Sequence, residues 1–373
     1  MQMSNNSRLT NSQTLAIEHI NQYASSRKAA AQASIKEILQ MSNISLSTFE
    51  DAISKLQSNA RVALHFHPDR PVADTKCVAQ VLLEQGSYKS QFETRISNGS
   101  VSAYPGGARD IWERKFFGGA YQSEGVANSE RPKYGALDLM LHPDGPAPRF
   151  GSCYFLLNPS ASYRCTYSYG GSQDNPPEKG TYEELDDILA AIFKDAFFRE
   201  YAIGEKNLTP RKLVDQLLFN LERPFADPSE RKPSRNLNHF IEVQVHGDIS
   251  LKDDVVILVA DPSFKGTYVG KLIEQICLKY SIELFWHMGF SMQVEEVPPN
   301  FRGPTMPTLA RRIAKSGYID ASVIGDAVNN LKRSPALWSD RGNNEEVLQE
   351  LKYIWHVLVR FGKTFLINEK SIY

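Results

Sequence analysis

Cysteine is scarce in this 373-residue chain: Cys77, Cys153, Cys165 and Cys277 are the only four, and no two form a CxxC pair. That spacing excludes a disulfide-stapled scaffold and gives no zinc-ribbon signature, so reduced and mostly buried thiols are expected. Charge of one sign is not in excess, because 42 Lys and Arg stand against 43 Asp and Glu for a formal net charge of -1. No global field therefore draws the protein to nucleic acid or to an anionic membrane, and a polyanion would need a local basic pocket. Long apolar runs are missing too: none approaches the ~20 residues of a membrane helix. The opening MQMSNNSRLTNSQ lacks the apolar stretch of a signal peptide. A soluble protein without a cleaved signal peptide is expected. No GxGxxG opens a helix, and neither HExxH nor GxSxG occurs. A Rossmann cofactor site, a zincin centre and a serine-hydrolase elbow are thus unsupported.

What is present is ordinary globular composition, 42% hydrophobic and 23% charged, in a chain long enough to bury a large core around a cleft. Helices are expected from about Asn11 to Asn59, where Ser47 and Glu50 form a capping-box pair and Phe49, Ile53 and Leu56 share a face. From Arg61 the character changes. RVALHFH reads as a strand ended by Pro68 and Asp69, and Gln91 to Tyr121 reads as an ordered, glycine-punctuated loop. Strands are expected at Tyr134 to Leu141 and Arg149 to Leu157, joined by PDGPAP as a hairpin. Helix returns at Thr181, paired with Glu184, and again at Thr209-Pro210. A loop from Arg223 to Arg235 then leads into the strand NHFIEVQVHGDISL, followed by VVILVA, a helix near Lys271 to Tyr280 and a strand at Ile282 to His287. The tail is a helix capped by Asn343, with Val347, Leu351, Ile354 and Leu358 on one face and Gly362 as its stop.

Three segments carry candidate chemistry. In HFHPDR, His65 and His67 share one strand face as metal ligands sometimes do, with Asp69 close by, while Arg70 can clamp a pyrophosphate bidentately. The bland alternatives are structural histidines and a surface turn arginine. In RFGSCYF, Gly151 lets a flat ring approach the backbone, Ser152 offers a hydroxyl, and Phe150 and Tyr154 are candidate stacking partners; an edge-strand serine is the alternative. In FIEVQVHG, Glu242 is a carboxylate within an apolar strand, and Glu242, Gln244 and His246 point to one face. A salt-bridged strand glutamate is the competing reading.

Arg70 after one strand, Ser152 at a second and Glu242 opening a third resemble the Arg, Ser, Glu pattern of mono-ADP-ribosyltransferases. The strings HFHPDR, QFETRISNG, RPKYGALDL, RFGSCYF and EVQVHG look like a divergent bacterial branch that includes effectors secreted by intracellular pathogens, over roughly Arg61 to Phe264. The resemblance implies an α+β fold with two small packed β-sheets around an NAD cleft. It implies a helical region at 1–58, a core at 59–290 with a helical insertion at 181–222, and a helical region at 291–373. It further implies NAD as substrate, with no metal. Arg70 would grip the phosphates, Ser152 would brace the site, and Glu242 would bond the nicotinamide ribose; Gly151, Tyr154, His67 and Gln244 would complete the contacts. ADP-ribose would pass to a protein acceptor, an arginine on a host metabolic enzyme such as a glutamate dehydrogenase, after delivery into host cytoplasm. Phe240 stands where arginine-modifying relatives carry Glu or Gln, so Gln244, His246 or the Arg109, Asp110, Glu113 segment would have to position the acceptor. The alternatives are a metal-dependent hydrolase built on His65, His67 and Asp69, and a noncatalytic interaction protein on a decayed transferase fold.

Overall fold

Eight apolar or alternating segments pair into one sheet in the computed structural model, which describes residues 9–72, 76–96, 103–222 and 231–365. In chain order they are β1 (Arg61–Phe66), β2 (Lys133–Asp138), β3 (Cys153–Leu157), β4 (Cys165–Tyr169), β5 (Lys179–Thr181), β6 (Ile241–Val245), β7 (Val255–Ala260) and β8 (Glu283–Trp286). Their spatial order is β8-β7-β3-β1-β2-β6-β4-β5, and the pair β7–β8 is parallel while the other pairs are antiparallel. The fold is mixed α+β, but the strands do not divide into the two small packed sheets expected. β1 is the reason: Ala63 pairs with Ala136 of β2 on one side and Leu156 of β3 on the other, which joins the two halves. The same insertion of β1 prevents β2 and β3 from forming the expected hairpin. β4 and β5 went unnoticed in the sequence.

Side chains opposite each other across an antiparallel pair share a face. One row therefore runs Ala63, Ala136, Glu242, Ser168, and the next runs Tyr134, Gln244, Thr166. The other face carries Val62, Leu64, Phe66, Phe155, Val243, Val245 and Leu258, all in the main apolar core. Period two thus separates a polar wall from an oily one.

Helices cover the oily face. Asn11–Met41 buries Ile35, Ile38 and Leu39 and lies along Asp186–Phe198, with Arg27–Asp187 at 2.8 Å and Lys28–Glu184 at 3.0 Å. Leu46–Asn59 is capped by Ser45, which accepts from the Thr48 N–H, so the helix starts before the Ser47–Glu50 pair. Thr181 ends β5; its hydroxyl accepts from the Glu184 N–H, but the helix begins only at Asp186. Thr209 caps Pro210–Phe219 as expected. Of the expected loop 223–235, residues 223–230 lie outside the described residues. Asn343 accepts from the Glu345 and Glu346 N–H groups and opens Asn344–Phe361, whose Val347, Leu351, Ile354 and Leu358 are buried. One apolar cluster runs from Ala31 to Val359, so the terminal helices share the core of the sheet. Among the described residues, no helix is long and apolar enough to cross a membrane.

Candidate active site

Glu242 sits second in β6, on the polar wall, and borders a pocket of about 310 Å³. Its Oε1 accepts from the Ser172 backbone N–H at 3.0 Å and from Gln244 Nε2 at 3.0 Å. Among the described residues it has no salt bridge. Burial pushes its pKa up, opposed by the bonds from Ser172 and Gln244 and by the charge of Arg109. Gln244 is fully buried, and its other end accepts from the Thr166 hydroxyl at 2.7 Å. Thr166 also meets His246 Nε2 at 3.1 Å, and Tyr121 closes on His246 Nδ1. Glu242 and Gln244 of β6 and His246 just after it thus form a polar ladder whose pocket end is a carboxylate. Gln244 bonds the carboxylate directly, whereas His246 is bonded to Thr166 and Tyr121 and borders neither this pocket nor the smaller one beside it.

Two arginines line the same pocket as Glu242 and interact with its charge. Arg109 belongs to the helix Ala108–Phe116, whose acids turn inward: Asp110 and Glu113 pair with Arg131 at 2.6 and 2.9 Å, and the Tyr134 hydroxyl donates to Glu113 at 2.7 Å. That fixes the helix and leaves Arg109 over the Trp112 ring at 4.5 Å and over Tyr134 at 5.0 Å. Arg109 is buried, and among the described residues nothing salt-bridges it and its Nε lacks a hydrogen bond. Arg149 donates to the Leu237 carbonyl at 2.8 Å and Asn238 Oδ1 at 2.7 Å, and lies 4.9 Å from the Phe150 ring. Phe150 meets Phe240 edge to face at 5.5 Å. Tyr88, Trp112, Tyr134, Phe150 and Phe240 line a hollow that is also bordered by two carboxylates, Glu242 and Asp174, and by the two arginines. His65 completes it. The Ala147 N–H donates to His65 Nε2 at 3.3 Å, which leaves the proton on Nδ1 beside the Gly151 carbonyl at 3.5 Å, and burial pushes the imidazole down to about 3, so it is neutral.

Arg70 lines a different, smaller hollow of about 90 Å³ with His67 and Lys133; the two hollows share Tyr88, Gln91 and Tyr134. Gly151, Ser152, Tyr154 and Gln244 line neither. A Cβ at Gly151 would fall 2.3 Å from the Phe66 nitrogen, so the glycine makes room for β1 rather than for a ring. Ser152 is buried with its hydroxyl 3.3 Å from His67 Nδ1, and its carbonyl meets His287 Nε2 at 3.1 Å. Tyr154 packs on His65 at 4.9 Å from behind and donates to the Pro143 carbonyl. Its ring is sealed in the sheet, away from the pocket it was expected to line. His65 and Arg149 were missed as partners of Glu242, and Arg109 was raised only as an acceptor-positioning group. Among the described residues no group of three His, Cys, Asp or Glu is gathered as metal ligands, and Asp69 turns its carboxylate toward Gly325 rather than toward His65.

The chain belongs to the family described as "Protein of unknown function (DUF3626)", whose match covers residues 61–361, from β1 to the end of the helix Asn344–Phe361. No curated protein matches it.

Proposed function

We propose that this DUF3626 member cleaves the N-glycosidic bond of NAD in the Glu242 pocket and passes ADP-ribose to a protein side chain. The observation that carries the reading is a carboxylate held by two hydrogen bonds on the wall of a pocket lined by five aromatic rings and two arginines. A volume of about 310 Å³ lies at the small end of ligand pockets and suits the nicotinamide riboside end of a dinucleotide. When the bond from ribose C1 to the ring nitrogen breaks, nicotinamide leaves with the electron pair and the sugar becomes oxocarbenium-like. A fixed carboxylate stabilises that charge better than water, because its dipolar surroundings need no reorganisation. The acceptor's lone pair then bonds C1, and its proton is released. The aromatic walls exclude water and stack the leaving ring. Arg109 and Arg149, rather than Arg70, are the arginines next to Glu242 and take the phosphate role.

The protein acceptor to test first is an arginine on a host metabolic dehydrogenase. Purified protein incubated with NAD labelled in its adenylate and a host-cell lysate is expected to label a protein band. Glu242→Ala should lose on the order of 10²- to 10³-fold in rate. Equal labelling by that variant would refute the role of Glu242.

A further inference from the structure

We propose that Arg149, Arg302, Lys352 and His356 form a diphosphate-binding site that the C-terminal helix adds beside the Glu242 pocket. Its identification with the diphosphate of a dinucleotide rests on the reading of the pocket as an NAD site.

Trp355 Nε1 donates to the Pro148 carbonyl at 2.9 Å and pins the helix Asn344–Phe361 against the turn Pro148–Phe150. Lys352 and His356 are four residues apart and share a helix face. The Arg149 backbone lies beside the His356 ring, and the charges of Arg149 and Arg302 reach both helix residues. Arg302 stands 5.7 Å from the Tyr353 ring centroid, which is itself 6.1 Å from the His356 ring. The positively charged groups are thus gathered from the pocket wall, from the loop around Arg302 and from the helix.

The carboxylates of Glu242 and Asp174 act on the charge of Arg149 from the pocket wall. Among the described residues no carboxylate salt-bridges Arg149, Arg302 or Lys352, and the hydrogen bonds of Arg149 go to neutral acceptors. His356 is 1% exposed, and with the Arg149 backbone as hydrogen-bonding neighbour of one ring nitrogen the other is left unpaired, as are the buried Nε atoms of Arg149 and Arg302. Burial and the neighbouring Arg149, Arg302 and Arg109 push Lys352 down to about 8. Native proteins rarely leave several buried polar groups unmatched at one place. Guanidinium and ammonium groups offer only donors, and a neutral imidazole offers one more, so the matching ligand is a multivalent anion rich in acceptor oxygens. Arg149 belongs to both this cluster and the Glu242 pocket, which places the anion next to the reacting end.

The test is calorimetric titration of the full chain with inorganic pyrophosphate, together with ¹³C NMR of the lysine side chains. Saturable binding is expected, weakened about tenfold or more by Lys352→Met and by Arg302→Met as charge-assisted bonds are lost, with the Lys352 titration moving upward from about 8 when pyrophosphate is added. No saturable binding, or equal binding by folded variants, overturns the site. Should a variant not fold, the Lys352 resonance of the unaltered protein decides: an upward shift supports the site, and an unchanged titration overturns it. Pyrophosphate binding that the variants weaken, without nicotinamide release from NAD, keeps the site and removes the dinucleotide reading. Nicotinamide release with a KM unchanged in the variants removes the site and keeps that reading.

Discussion

Gln244 shows how one residue acts through another. Its amide nitrogen donates to Glu242 and its oxygen accepts from Thr166, both in the interior. The donated bond favours the charged carboxylate and so counters the upward push of burial. Gln244→Leu is therefore expected to raise the pKa of Glu242 further, moving the acid limb of the kcat/KM profile for NAD to higher pH. The same change removes one hydrogen bond each from Glu242 and Thr166, which keep Ser172 and His246 as partners, and should cost roughly 1–3 kcal/mol of stability in all. A loss of stability with an unmoved acid limb would make Gln244 purely structural. Glu242 itself was legible in the sequence because a carboxylate inside FIEVQVHG breaks an apolar pattern. Arg109 and Arg149 were not legible as its partners, since IEVQV carries no information about which distant arginines fold against it. Arg70 attracted notice through its place after a strand, but a place in the chain does not say which hollow a long side chain enters.

Among the elements, helices were read best where a cap and a 3.6-residue face agreed, as at Thr209-Pro210 and Asn343. Two serines at 45 and 47 compete to cap the second helix, and only packing selects Ser45. Cys165–Tyr169 escaped because CTYSY buries Thr166 and Ser168, small polar groups whose burial depends on the ladder with β6. The single sheet escaped for a related reason: the choice of partners for β1 is set by long-range pairing that no local string records. One docking contact follows from the fold. The helix Ala321–Arg333 meets the turn after β1 at Gly325, where a Cβ would lie 1.4 Å from Asp69 Oδ2, and Asn329 donates to the Asp69 carbonyl at 3.1 Å. Ala is the better helix former by about 1 kcal/mol, but a contact this short forces the chain apart and overpacking costs typically ~1–3 kcal/mol. Gly325→Ala is expected to lower the thermal midpoint; an unchanged or raised midpoint would show that helix and turn are not in such contact.

Taken whole, the molecule buries groups whose ionisation is displaced in opposite directions. Asp138 is 1% exposed, and burial pushes it up to about 6. An acid whose folded pKa is raised contributes stability that is present below its ordinary value near 3.8 and is lost as pH rises through about 6. His65 and His246, pushed down to about 3 by burial, act the other way: their contribution is present above 6.5 and is lost as pH falls toward 3. Asp138→Asn keeps an oxygen for the Leu141 N–H and removes the charge. Relative to the parent it should gain about 1–3 kcal/mol between pH 4 and pH 7, measured by denaturant unfolding across that range; parallel curves would contradict the assignment. The central claim concerns the pocket on the polar wall, where a fixed carboxylate and two arginines share one lining. Nicotinamide released from NAD by the purified full chain, followed by chromatography beside the Glu242→Gln protein, tests it most directly. Release by the parent and at least a hundredfold less by the variant is the outcome the account predicts, whereas equal release by both proteins, or none by either with acceptor present, would contradict it.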